Sequence, residues 1–128
     1  MIHLENASAT DKDAALEASS LFAMPSRHET FGLGYLEAWL HGKPVIGGDI
    51  PALREVIADG IDGLVVRQRA DEVARAILQL LDDPPAARAM GERGRAKVAA
   101  RWSWDAVIDR VEAAYAIAVG SEKATTAA

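Results

Sequence analysis

The sequence predicts an α/β fold of short parallel strands followed by a purely helical C-terminal part. Three observations lead there. Apolar runs of strand length, at 21–24, 45–46 and 64–66, are separated by helix-patterned stretches, the alternation that builds parallel sheets. Residues 21–48 spell one complete strand–loop–helix–strand unit, with Gly32-Leu33-Gly34 at the start of its helix, the pattern of a right-handed βαβ crossover. From residue 70 onward only helical periodicity remains.

In chain order, residues 1–4 read as a very short strand, and 6–10 as a polar helix start. Residues 11–20 carry helix formers, with Ala15 and Leu16 facing inward. Pro25 stops the run 21–24, because proline has no N–H for a sheet and disfavours helix in the residue before it. A loop with Arg27, His28 and Glu29 follows, then a helix ending at His41-Gly42. On a wheel stepping about 100° per residue, Leu33, Leu36 and Leu40 form its buried stripe. Glu37 falls beside that stripe, on the Gly34 and His41 side, where a surface ion-pair partner is not expected. Lys43-Pro44 turns the chain into Val45-Ile46, which dissolves into Gly47-Gly48.

Asp49-Ile50-Pro51 reads as a cap followed by proline in a first helical turn. That helix, to about residue 58, buries Leu53, Val56 and Ile57, and Glu55 is an early stabilising charge in it. Asp59-Gly60 and Asp62-Gly63 are turn pairs leading into the last strand, 64–66. Beyond it, Val73, Ile77, Leu80 and Leu81 make a helical stripe. Asp82-Asp83-Pro84-Pro85 ends that helix and starts the next, which runs to about Arg101. Gly91 and Gly94 each weaken it by roughly 1 kcal/mol, so it must lean on neighbours. Ser103 caps a last helix with the stripe Trp104, Val107, Ile108, Val111 and Tyr115. Residues 1–119 are expected to form the domain and 120–128 a frayed tail.

The bulk properties exclude several classes. The 128 residues make one small domain or a piece of one, and half of them are apolar, enough for a core. A net charge of −5 leaves no basic footprint for nucleic acid. Without cysteine there is neither a disulfide framework nor a thiolate metal site, which suits a reducing cytoplasm. The three histidines and nineteen acids show no metal-ligand spacing. No apolar run approaches the ~20 residues of a membrane span, and no signal peptide opens the chain.

The chemistry concentrates at the central unit. The first turn of a helix leaves backbone N–H groups unpaired and gathers roughly half a positive charge. Glycines there let an anion approach the backbone, so phosphate is a natural guest, although the same glycines also serve a tight turn. Two carboxylates flank this helix start. Glu29 sits in the loop at its mouth and Glu37 one turn inside, and carboxylates accept hydrogen bonds from the hydroxyls of sugars and riboses. Taken alone, Glu29 is also a surface loop carboxylate, and Glu37 a half-buried helix residue paired with a lysine or arginine.

The run Pro25-Ser26-Arg27-x-Glu29-x-Phe31-Gly32-Leu33-x-x-Leu36-Glu37-Ala38, then Gly42-Lys43-Pro44-Val45, resembles the signature of retaining group 1 glycosyltransferases of the GT-B fold. Glu29 and Glu37 match that family's Glu-x7-Glu motif. Glu55-Val56-Ile57, Asp59-Gly60, residues 62–66 and Trp102-Ser103-Trp104 continue the match, so the resemblance covers residues 2–115. It implies a partial Rossmann-like, three-layer GT-B C-terminal domain that binds a nucleotide diphosphate sugar. In it Glu29 contacts hydroxyls of the transferred sugar, Glu37 binds the ribose, and the backbone amides of Phe31, Gly32, Leu33 and Gly34 hold the diphosphate. No cofactor and no metal are implied. Arg54, where many relatives carry proline, and Thr30, often glycine, depart from the pattern, and Thr30 narrows the space beside the sugar.

The resemblance also implies what this chain lacks. The GT-B fold has two Rossmann-like domains with the reaction in the cleft between them. The N-terminal domain, and the strands carrying a basic pair that clamps the diphosphate, are not encoded here. The expectation is therefore the donor-binding part of a cytoplasmic glycosyltransferase, inactive alone, its full-length form free to dock on a membrane surface. A stand-alone nucleotide-sugar-binding module and a sugar-nucleotide epimerase relative are the alternatives. In a doubly wound sheet, the strand 21–24 would lie in the middle with its usual neighbour missing. A bare apolar edge there favours self-association.

Overall fold

The computed structural model describes residues 3–125. Phe22–Met24 (β1), Val45–Gly48 (β2) and Gly63–Val66 (β3) form a parallel sheet in the order β1-β2-β3. Phe22 lies opposite Val45, and Val45 opposite Gly63. The helices are Ala9–Ala18 (α1), Leu33–Leu40 (α2), Pro51–Val56 (α3), Ala70–Asp82 (α4), Pro84–Trp102 (α5) and Trp104–Thr125 (α6). The chain divides into two units, Met1–Ala96 and Lys97–Ala128.

Within the first unit, alternation along β2 separates two faces. On one, Gly47 lies against Ile57, Leu53 and Tyr35, next to α3 and α2. On the other, Ile46 joins Leu64, Ala76, Leu80, Ala87 and Met90, from β3, α4 and α5. This is the expected three-layer α/β arrangement with short parallel strands. Every residue of β2 is buried, while β1 has its central Ala23 exposed, as an edge strand does.

Several local expectations are corrected. His3 and Leu4 are not in a strand; Met1 and Ile2 lie outside the described residues. The first helix starts at Ala9, within the polar stretch expected to start it, because Ser8 and Asp11 form a reciprocal capping box. Leu16 faces inward there, but Ala15 is exposed. The strand at 45–46 does not dissolve at the glycines: it runs through Gly48. A Cβ on Gly47 would lie 2.5 Å from Ile57 Cδ1, and one on Gly48 2.2 Å from the Ser26 carbonyl oxygen. Asp49 does not cap α3. Its carboxylate binds Arg54 Nε at 2.6 Å, leaving Ile50 as the cap residue without a side-chain bond. The helix stops at Val56, so Glu55 comes late in it rather than early.

The largest correction concerns α2. Leu36 is buried, but Leu33 and Leu40 are 67% and 56% exposed. The buried face is Tyr35, Leu36, Ala38 and Trp39. Both aromatics enter because their polar tips find carbonyls: Tyr35 Oη donates to Met24 O, and Trp39 Nε1 donates to Asp62 O at 2.8 Å. Asp62 is itself buried and accepts from Ala58 N at 2.9 Å.

The long α5 explains its glycines. A Cβ on Gly91 would fall 2.0 Å from Gly42 O, and one on Gly94 2.0 Å from Trp39 Cδ1. They are sites of close approach, where the helix lies on α2 and the turn after it. In α4, Ala76 and Leu80 are buried, whereas Leu81 of the expected stripe is exposed.

In the second unit, Ser103 Oγ accepts from Ala106 N at 3.2 Å, as expected of a cap. Arg101 lies 5.5 Å from the Trp102 ring centroid, and Arg110 donates to the Arg101 carbonyl at 2.6 Å. α6 continues to Thr125, through much of the stretch expected as a tail. Residues 126–128 lie outside the described residues. Trp104, Ile108, Val111 and Tyr115 are exposed along α6. No described helix is long and apolar enough to cross a membrane.

Candidate functional site

The site is assembled at the C-terminal ends of β1 and β2, where a parallel sheet opens its crevice. After β1, Pro25 releases the chain into the loop that carries Glu29. That loop meets the start of α3 across a cavity of about 600 Å³, lined by Arg27, His28, Glu29 and Thr30 and by residues 50–52. Among the described residues Glu29 has no ion-pair partner. Ile50, Pro51 and Ala52 were not foreseen as site residues. The signal for them was available, since the loops after neighbouring parallel strands converge.

The loop closes into α2 through Gly32, whose φ of 82° lies in the left-handed region. A Cβ there would sit 2.5 Å from Tyr35 Cδ2, so glycine is required twice over. Gly32 caps α2 with no side-chain hydrogen bond. Tyr35 N donates to Gly32 O at 3.0 Å, so the amides of Leu33 and Gly34 are the ones left for solvent or an anion, at the positive end of the helix. Leu33 projects outward, so only its backbone belongs to the site. Gly34 makes room for Phe22, whose Cζ would be 3.1 Å from a Cβ there. Phe31 is half-buried.

Glu37 faces elsewhere. It lines a second cavity of about 440 Å³ with Thr10, Lys12, Asp13, Leu40 and His41. Lys12 Nζ holds its Oε1 at 2.6 Å, with both side chains about half exposed. The expectation that no surface ion-pair partner would sit beside Glu37 is therefore wrong, because α1 packs over that side of α2. Glu29 and Glu37 are brought to two cavities rather than one, with the residues of the α2 start between them along the chain.

His41, at the end of α2, is bound at both nitrogens: Nε2 to Asp13 Oδ1 and Nδ1 to Glu17 Oε2, each at 3.0 Å. Hydrogen bonds donated by the charged ring to Glu17 and then Asp13 raise its pKa above the usual histidine value. Burial pushes the Tyr35 phenol up to about 12, and the Glu29 charge adds to this. Groups of three or more acids and histidines able to hold a metal ion are absent among the described residues.

The fold is a parallel α/β sheet whose crevice holds the Glu29 loop and a helix start without a side-chain cap. Residues 1–97 match the family model of the group 1 glycosyl transferases, and the chain belongs to that family. It is 37% identical over 103 residues to a GDP-mannose-dependent monoacylated alpha-(1-6)-phosphatidylinositol monomannoside mannosyltransferase of Corynebacterium glutamicum, a match covering 75% of this chain and 27% of that protein. Among solved structures, sucrose-phosphate synthase from Thermosynechococcus elongatus superposes with a TM-score of 0.74 and 33% identity, over 83% of this chain and 27% of that one. Anabaena HepE, solved with UDP-glucose, shares the fold with a TM-score of 0.69 at 24% identity, over 85% of this chain and 30% of that one. The chain thus spans about a quarter of the length of such relatives and corresponds to the C-terminal domain region of the GT-B fold.

Proposed function

We propose that the chain is the donor-binding part of a retaining glycosyltransferase. The whole enzyme moves a sugar from a nucleotide diphosphate sugar to an acceptor, with net retention at the anomeric carbon. In this reading the amides of Phe31, Gly32, Leu33 and Gly34 hold the diphosphate. Glu37 accepts hydrogen bonds from the ribose hydroxyls, exchanging Lys12 for them, and Glu29 accepts from hydroxyls of the transferred sugar. The observation that carries the reading is the uncapped start of α2, with its left-handed Gly32.

A leaving nucleoside diphosphate needs positive charge in the transition state. In this reading the α2 start supplies part of it, and the rest comes from a basic pair elsewhere in the whole enzyme. Donor recognition resides here, and turnover needs the rest of the fold, in a cytoplasmic enzyme.

The test is calorimetric titration of the chain with UDP, GDP and their sugar conjugates. Saturable binding of one nucleoside diphosphate, weakened by Glu37→Ala, whose half-exposed side chain can be truncated without disturbing the core, is expected. Absence of binding to all of them at millimolar concentration would overturn the reading.

A further inference from the structure

We propose that Gln68 and Tyr35 are positioning residues: they clamp the beginning of the Glu29 loop, and so set how far the site prefers a nucleotide sugar over the bare nucleoside diphosphate. The second half of this rests on the donor-binding reading above; the first half does not.

Three elements converge on Met24, Pro25 and Ser26. From α2, the fully buried Tyr35 donates its hydroxyl to Met24 O, the last carbonyl of β1. Phe22 seats the ring from below, edge to face, with centroids 5.6 Å apart and planes at 88°. From the segment after β3, Gln68 Nε2 donates to Ser26 O at 3.1 Å, across 42 residues of sequence. From β2, Gly48 removes its side chain from the same spot. A Cβ there would meet Ser26 O at 2.2 Å, Gln68 Nε2 at 2.6 Å and the carbonyl carbon of Pro25 at 3.2 Å. Within the clamped stretch, Ser26 N donates to Met24 O at 2.7 Å and tightens the turn further.

Glu29 follows three residues later. Neither Gln68 nor Tyr35 lines the cavity that Glu29 faces, so both act through the backbone. A loop is mobile unless its backbone groups are tied. Here one amide and one phenol tie the two carbonyls that precede the carboxylate. The sugar, held by Glu29, depends on that tie. The ribose, held by Glu37 within α2, and the diphosphate, held by the amides of residues 31–34 beyond the clamped stretch, depend on it far less.

The experiment compares Tyr35→Phe, Gln68→Ala and Gln68→Glu in the full chain, by amide hydrogen exchange and by calorimetry with UDP, GDP, UDP-glucose and GDP-mannose. Gln68→Glu keeps the shape of the side chain and removes the donor, so it must behave like Gln68→Ala. Losing one neutral hydrogen bond opens the local equilibrium roughly five- to tenfold. Exchange at residues 26–30 is expected to accelerate by that factor, with α4 unchanged. The extra affinity for the sugar conjugate should shrink, with nucleoside diphosphate affinity held within about twofold, below the tenfold of a full 1.4 kcal/mol contact. Unchanged loop exchange in Gln68→Ala and Gln68→Glu would overturn the clamp. Faster exchange with an intact sugar preference would overturn the positioning role. A wild-type chain that binds none of the four ligands overturns the donor reading and the specificity half with it, and exchange alone then decides the clamp.

Discussion

The indole of Trp39 lies so close to Gly94 that a methyl group placed on the glycine would come within 2.0 Å of Trp39 Cδ1. Since Trp39 is fully buried and its Nε1 is held by Asp62 O, the ring has little freedom to withdraw. Alanine gains roughly 1 kcal/mol over glycine in a helix interior, but overpacking a core costs about 1–3 kcal/mol or more. Gly94→Ala is therefore expected to lower the melting temperature, by roughly 4 °C for each net kcal/mol lost. Thermal melting that shows an unchanged or raised Tm would contradict the close approach.

The two glutamates should separate by ligand. Glu37→Ala is expected to weaken nucleoside diphosphate binding by roughly ten- to a hundredfold, the equivalent of one charged hydrogen bond. Glu29→Ala should spare the nucleotide and reduce binding of the sugar conjugate, and turnover in the intact enzyme. Lys12→Ala, which removes only an exposed ion pair, should change stability by no more than ~1 kcal/mol. Calorimetry in which Glu37→Ala binds nucleotide like the wild type would end the ribose assignment.

Binding is expected to persist in excess chelator. The diphosphate is assigned to backbone amides at a helix start rather than to a metal held by carboxylates. A strict dependence of nucleotide binding on manganese or magnesium, read by titration with and without chelator, would show that the α2 start has been misassigned.

Stability should fall as pH rises through neutrality. The His41 pKa is raised from 6.5 in the folded chain by Glu17 and Asp13, so the contribution of the protonated ring is complete below the unfolded value and lost as pH climbs through the folded one. Glu17 is shifted the opposite way, below 4.5, by His41 and then Lys43. Its contribution is present above the ordinary glutamate value and disappears as pH falls through the lowered one. The α1–α2 contact is thus strongest between these limits. Wild-type Tm at pH 6 should exceed that at pH 8, and His41→Gln should flatten the difference. Equal slopes in the two proteins would exclude His41 as the cause.

The chain by itself should self-associate or be only marginally stable. Among the described residues no strand pairs with the outer edge of β1, whose Ala23 is exposed, and an open apolar edge is a template for another chain. Ala23→Lys should reduce the association, because a charge on an edge opposes pairing. The check is light scattering over a concentration series, alongside thermal melting. A monodisperse monomer with a sharp transition above ~65 °C, the upper end of the mesophile range, would refute it.

Much of this protein was settled within short stretches of its sequence. The apolar runs that became β1, β2 and β3, the stop at Pro25, the helix start at Gly32 and the break at Asp83-Pro84 are local events. Each is decided by the conformational limits of one or two residues and by whether a strand-length run is apolar. The order of motif residues from Pro25 to Val45 was equally legible, and it led to the right family.

Only the tertiary structure decided which face of α2 is buried, because a helical wheel weighs carbon and cannot see distant acceptors. Tyr35 and Trp39 displaced Leu33 and Leu40 from the core since Met24 O and Asp62 O were there to receive their polar tips. The same holds for Gly48, Gly91 and Gly94, which look like weak points in sequence and are points of backbone approach in space. The placing of Glu29 beside residues 50–52 and of Glu37 beside Lys12 was decided there too. Those neighbours come from other elements, and only the packing of the sheet and helices brings them together.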